Sequence, residues 1–205
     1  MIEKLLLNRD KITKTTFEKA YNSAIVLKKQ FAFSEKLKMV IKHIFNKLNE
    51  VTPLKLQKLL YFIQGLSSAL NDKLIFEEEC EAWVHGPLYP MVYELFKDFK
   101  YNPIDDNRFV MFESLGEKLS EEEIKIIDLV IDTFGLYDGK ALERITHQEQ
   151  PWKEARVGYD DGIHSNDIID PQSIKIYFKK MHNEYDFSTK EGLMKYIHIY
   201  LSRLY

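Results

Sequence analysis

Residues 51–100 read VTPLKLQKLLYFIQGLSSALNDKLIFEEECEAWVHGPLYPMVYELFKDFK, and this stretch decides the fold. Thr52-Pro53 marks a helix start. The Thr52 hydroxyl can cap, and Pro53 at the first helical position forfeits no hydrogen bond. The helix expected over Pro53–Leu70 carries Leu56, Leu59, Leu60, Ile63, Leu66 and Leu70 on one side. Gln57, Tyr61, Gln64, Gly65 and Ser68 lie opposite, and from Gln57 to Leu70 the only charge is Lys58. A solvent face normally carries charges, and glycine in mid-helix costs about 1 kcal/mol against alanine unless something approaches closely. This side is therefore expected to be covered too, by the chain or by a partner. Lys55 and Lys58 oppose the helix dipole in the first two turns. Glu77, Glu78, Glu79 and Glu81 are the acids expected to offset them.

Working outward, Asn71-Asp72-Lys73 is a turn. Glu81–His85 alternates like a short strand or hairpin, broken by Gly86-Pro87. A helix from about Pro90 follows, with Val92, Leu95, Phe96 and Phe99 as its apolar positions. Upstream, Leu37, Ile41, Ile44 and Leu48, widened by Val40 and Phe45, predict an amphipathic helix from Ser34 to about Asn49. Phe17, Tyr21, Ala24, Ile25, Phe31 and Phe33 suggest one helix or a helical hairpin ahead of it.

Downstream, Tyr101–Gly116 reads as a loop, with a second short strand at Phe109–Phe112. Ser120 and Glu123 form a capping box. The apolar coverage behind it predicts a central buried helix ending at Gly135. A shorter helix is expected over Gly139–His147, and another turn follows Gln150-Pro151-Trp152. Asp170-Pro171 opens a helix with Ile174, Tyr177, Phe178 and Met181. Ser188 and Glu191 look like a second capping box ahead of Leu193–Leu204. The expectation is a mainly α protein: one compact multi-helix domain with a small β-hairpin, plus N- and C-terminal accessory helices.

Composition bounds the function. The 205 residues are 45% hydrophobic and 13% aromatic, which describes a globular chain with one good core. No apolar run approaches the roughly 18 residues of a membrane span, and the start resembles no signal peptide. The single cysteine, Cys80, excludes an internal disulfide and multi-cysteine zinc sites, and fits a reducing cytoplasm. Residues 1–49 hold eleven Lys/Arg against four Asp/Glu, a balance of +7. The remainder holds eighteen against twenty-eight, −10, giving the net −3. The basic front end could contact nucleic acid. With no groove-reading motif in view, docking on the acidic remainder or plain solvation is the preferred account.

Chemistry is sparse. Cys80 and His85 are five residues apart on a strand, hence on opposite faces and unfit as nucleophile and base. Glu143 and His147 share a helix face and could bind metal with His164 or Asp167, but the HExxH and facial-triad spacings are absent. No Walker loop, Rossmann fingerprint or GxSxG elbow occurs. The expectation is no enzyme, no cofactor and no metal site. Trp83, Trp152 and the prolines flanking Leu88-Tyr89 suit either an aromatic recognition surface or core packing.

TPLKLQKLLYFIQG (52–65), FEEECEAWVHGPLYPMVYELFKDFKYNPID (76–105), LERITHQEQPWKEAR (142–156) and IKIYFKKM (174–181) together resemble the Panacea family, the SocA-like antitoxin domains. The likeness runs collinearly over about residues 34–182. It divides the chain into an N-terminal helical extension (1–33), a Panacea domain (34–183) and a C-terminal accessory helix (184–205).

The resemblance implies an antitoxin from prokaryotic or phage operons that neutralises a cognate protein toxin by direct contact. It implies no established catalytic residues. Its alternatives are an adaptor delivering the toxin to a protease, or a DNA-binding regulator of the operon. A protease or chaperone is thus a further possible partner, nucleic acid is not favoured, and no membrane is expected. On the family's motif fall Lys55, Gln57, Lys58, Tyr61, Gln64, Trp83, His85, Gly86, Pro87, Tyr93, Thr146, His147, Pro151 and Trp152. Residues Gln57–Gln64 and Trp83–Tyr93 are the expected toxin contact.

Overall fold

Fourteen consecutive residues, Leu56 to Ala69, are buried, and the rest of the fold is laid around them. The structure is a computed structural model that describes residues 33–104, 118–160 and 162–202. The expected N-terminal helices of 1–32 and the strand at Phe109–Phe112 lie outside the described residues.

In chain order the helices are α1 (Glu35–Lys47), α2 (Pro53–Leu70), α3 (Pro90–Phe96), α4 (Glu121–Phe134), α5 (Gly139–Thr146), α6 (Gln150–Ala155), α7 (Pro171–Tyr185) and α8 (Lys190–Ser202). A single 3-10 turn, Lys97–Phe99, follows α3. The only sheet among the described residues is an antiparallel hairpin of β1 (Glu81–Trp83) and β2 (Gly86–Leu88). The fold is mainly α with a small β element, as the sequence predicts.

Helix α2 is the axis, touching α1, α3, α4, α5, α7 and β2. The sequence assigned the central buried position to the helix behind Ser120, and this is corrected. Helix α4 keeps Glu121, Glu122, Lys125 and Asp132 in solvent, whereas α2 has only Lys58 as a charge beyond its first turn. Charge content, rather than apolar content, separates the two. Aromatic rings weld the centre: Phe62 stacks on Phe134 at 3.9 Å between centroids, and Tyr61 meets Phe178 edge-on at 5.6 Å.

Local start signals act as their chemistry predicts. Ser34, Thr52, Ser120, Asp138 and Asp170 each accept a backbone N–H at a helix start, and Ser120 and Glu123 complete the capping box. The second expected box shifts by one residue. Thr189 Oγ1 accepts from Gly192 N, while Ser188 Oγ turns back to Asp186. Asp186 adopts the left-handed conformation at φ 53, and its carboxylate takes the Ser188 hydroxyl before it can cap.

Basic groups of α1 pair with acids of α4: Lys36 with Glu123 at 2.6 Å, and His43 and Lys47 with Asp128 at 2.6 and 3.3 Å. Within the described part of the basic front end, these charges are thus spent on the acidic body. Helix α8 packs on α4, α5 and α7.

Candidate functional site: a polar spine and an aromatic cavity

The covered polar side of α2 works as a set of internal hydrogen-bonding splints. Gln57 donates through Nε2 to Tyr89 O at 3.3 Å and accepts from Tyr89 N at 2.8 Å. Gln64 does the same one segment away, donating to Phe76 O at 2.7 Å and accepting from Ile75 N at 2.8 Å. Each amide satisfies a donor and an acceptor of backbone that lies outside helix and strand, which explains two buried glutamines on one helix. Gly65, directly after Gln64, admits the ring of Phe178.

The acids expected to offset Lys55 and Lys58 do not do so. Lys55 Nζ donates to Gly135 O, the carbonyl end of α4, at 2.8 Å. There the dipole of α4 favours the cation that the dipole of α2 disfavours. Lys58 is fully buried and donates to Pro87 O at 2.9 Å. Burial pushes its amine down to about 7, against the pull of Cys80, Glu143 and Glu149. Glu78 instead accepts from the Ser34 backbone N–H at 2.6 Å, and Glu77 and Glu79 face solvent. The first residue of β2 leaves room for Lys58 to reach the Pro87 carbonyl. Gly86 sits at φ 93, and a Cβ there would stand 2.7 Å from Lys58 Nζ and 2.8 Å from Thr146 Oγ1.

Beyond Lys58 lies a second buried polar group. Glu149 is fully buried and accepts from the Tyr196 hydroxyl, with Tyr61 beside it. Tyr177 connects Tyr196 at 3.1 Å and Tyr200 at 2.8 Å. Burial pushes the Glu149 carboxyl up to about 7. Helix α8 supplies two of these tyrosines.

Glu143 is engaged on both oxygens, with His85 Nδ1 at 2.8 Å and Lys140 Nζ at 2.7 Å. Burial raises its carboxyl, but these two partners outweigh burial and hold it below the usual range. His147 stacks flat on Trp152 at 4.3 Å, and burial lowers its imidazole to about 4. Glu143 and His147 are therefore committed to different neighbours. Among the described residues, no three His, Cys, Asp or Glu side chains gather as a metal site. Cys80 is buried, with its thiol pushed up to about 12 by burial, and His85 faces away toward Glu143.

The hairpin is fastened from behind by α6. Trp152 Nε1 donates to Trp83 O at 2.9 Å, and Arg156 donates to Ala82 O at 2.9 Å and Ile163 O at 2.6 Å. The Arg156 guanidinium lies over Trp152 and Tyr159. Arg156 and Glu149 were missed as site residues, and Glu143 was weighed only as a metal ligand beside His147. The one available signal was the four-residue spacing of Trp152 and Arg156, which places them together at the end of a helical turn.

In front of the hairpin is an open cavity of about 640 Å³. Trp83 forms a wall, its ring tilted on Tyr93 at 5.1 Å and edge-on to His164 at 4.8 Å. Gln57, His85, Leu88 and Tyr101 also line it, as do Lys97, Lys100 and Lys140, but among the described residues no Asp or Glu does. The motif residues thus separate. Gln57, Lys58, Tyr61, Gln64, Gly86, Pro87, Thr146 and Pro151 are interior, and Lys55, His147 and Trp152 are half-buried supports. Trp83, His85 and Tyr93 reach solvent together at the cavity, with Gln57 as the one α2 amide on its lining.

Residues 56–153 match the family model described as Antitoxin SocA-like, Panacea domain. No curated protein and no solved structure matches the chain. The matched segment runs from the buried face of α2 through the hairpin and cavity to the Trp152 support. Residues 56–153, just under half of the chain, are thus similar to the Panacea domain of SocA-like antitoxins.

Proposed function

We propose that the chain is a cytoplasmic antitoxin that neutralises a cognate protein toxin by direct binding and performs no chemistry of its own. The observation that carries this reading is the convergence of Trp83, His85 and Tyr93 on one open cavity of the family-matched segment. Aromatic side chains with one apolar face and one polar handle are the usual anchors of a protein contact. The unusual ionisable groups of the interior, Lys58, Cys80 and Glu149, are sealed from solvent and serve the fold.

The test is co-expression with the toxin encoded in the neighbouring gene, scored by growth rescue and co-purification. His85→Ala is the informative variant, because its side chain is 63% exposed and its loss leaves the core intact. It should stay folded and rescue less well. Tyr61→Ala does not discriminate: Tyr61 is fully buried, and truncating it costs about 3–5 kcal/mol of stability. A folded wild-type chain that neither rescues growth nor co-purifies with the toxin refutes the reading.

A further inference from the structure

We infer that the cavity in front of the hairpin takes a short acidic segment of the toxin, with a bulky apolar side chain inserted against Trp83 and flanking carboxylates on the lysine rim. This rests on the antitoxin reading above and adds where the partner docks and by what chemistry. The lining joins an aromatic wall to Lys97, Lys100, Lys140, His85 and His164, with no acid among the described residues that form it. Glu94 steadies Lys97 and Glu143 steadies Lys140, both from outside the lining, and Lys100 has no ion pair among the described residues. The amino end of α2, through Pro53 and Leu54, opens into the same space and adds to its positive sign.

This positive spot sits on a segment, residues 50–205, whose eighteen basic and twenty-eight acidic residues leave it at −10. A uniformly charged polyanion such as RNA would be repelled by that body at every phosphate outside the cavity. A peptide with two or three local carboxylates would be attracted only where it docks. Backbone geometry agrees. Lys100 lies at φ 55, a conformation that glycine adopts without strain, yet a lysine stands there at the rim. About 640 Å³ takes a short run of side chains rather than a whole domain face.

The test measures toxin affinity for the full chain and for Lys97→Glu/Lys100→Glu and Tyr93→Ala, with circular dichroism as the folding control and Lys125→Glu on α4 as a charge control. The rim and Tyr93 variants should each weaken binding by about tenfold or more, and the rim variant should flatten its salt dependence. Lys125→Glu should change neither. Peptides tiled along the toxin sequence should bind where Leu, Phe or Trp stands beside Asp or Glu, and a single-stranded uridylate RNA should not compete. A toxin complex that forms normally but ignores both cavity variants overturns this inference and leaves the antitoxin reading standing. Uridylate binding at the cavity in place of the peptides overturns it as well. Absence of any complex with wild type defeats the antitoxin reading itself, and the docking inference with it.

Discussion

Replacing Gly65 with alanine places a methyl group on α2 against the Phe178 ring of α7. A Cβ at Gly65 would lie 2.4 Å from Cε1 and Cζ of Phe178 and 2.6 Å from its Cδ1. That ring has no retreat. It is fully buried among Tyr61, Phe62, Tyr177 and Phe187, at centroid distances of 5.6, 6.4, 5.5 and 6.1 Å. Overpacking of this kind costs about 1–3 kcal/mol, against which alanine gains about 1 kcal/mol in helix propensity. Because the ring cannot retreat, the upper part of that range applies, about 2–3 kcal/mol, and the net leaves Gly65→Ala roughly 1–2 kcal/mol less stable. For a chain of this size, that is a fall in Tm of roughly 2–8 °C. Urea unfolding followed by circular dichroism measures it, with an unchanged m-value showing that the denatured state is unaltered. Phe178→Leu should make Gly65→Ala less costly, a coupling that a double-mutant cycle reads directly. If Gly65→Ala alone raises the urea midpoint, the glycine serves no close approach and this account of the packing fails.

Two other perturbations address the polar interior. Gly86→Ala forces a side chain into the left-handed region at φ 93 and against Lys58 Nζ and Thr146 Oγ1. It should cost at least about 2 kcal/mol in urea unfolding. Glu149→Gln tests the buried carboxyl, whose pKa rises from 4.5 unfolded to about 7 folded. The folded state holds this proton to higher pH, so the group's contribution is whole below 4.5 and is lost as pH rises towards 7, by roughly 3 kcal/mol. Lys58 titrates in a different window, from about 7 to 10.5, and does not cancel this. The variant should lack this loss. His147, lowered from 6.5 to about 4 by burial, gains stability with rising pH over an overlapping window in wild type and variant alike, so the Glu149 contribution is read as the change in the difference between wild-type and Glu149→Gln urea midpoints from about pH 4.5 to pH 7.

Local structure was legible in the sequence because it is written in local chemistry. Thr52-Pro53, Ser120–Glu123 and Asp170-Pro171 start helices through atoms a few residues apart. The scarcity of charge along Gln57–Leu70 correctly foretold a helix covered on every side, and Gly65 foretold a close neighbour. Partners distant in sequence were not legible. Lys55 ends on a carbonyl eighty residues away and Lys58 on one twenty-nine away. Backbone oxygens carry no residue identity, so nothing in the sequence singles them out, and the glutamate run was the natural wrong guess. Glu149 reads as an ordinary surface acid until Tyr196 of α8 is folded over it. The cavity was half visible: Trp83, His85 and Tyr93 stood out by residue type, but the lysine rim looked like ordinary solvated charge.

The small sheet has one more strand-like neighbour than its two strands suggest. Ala82 N donates to Asp167 O, Ile169 N donates to Cys80 O, and Glu81 bridges Ile168. The outer side of β1 is therefore already occupied, while β2 is buried, offers a proline with no N–H, and has its Pro87 carbonyl held by Lys58. A partner cannot extend this sheet by laying a strand along β1. Recognition there must run through side chains, so specificity can be retuned by substitutions around the cavity without rebuilding the backbone, and the hairpin resists adventitious edge-to-edge association between copies of the chain.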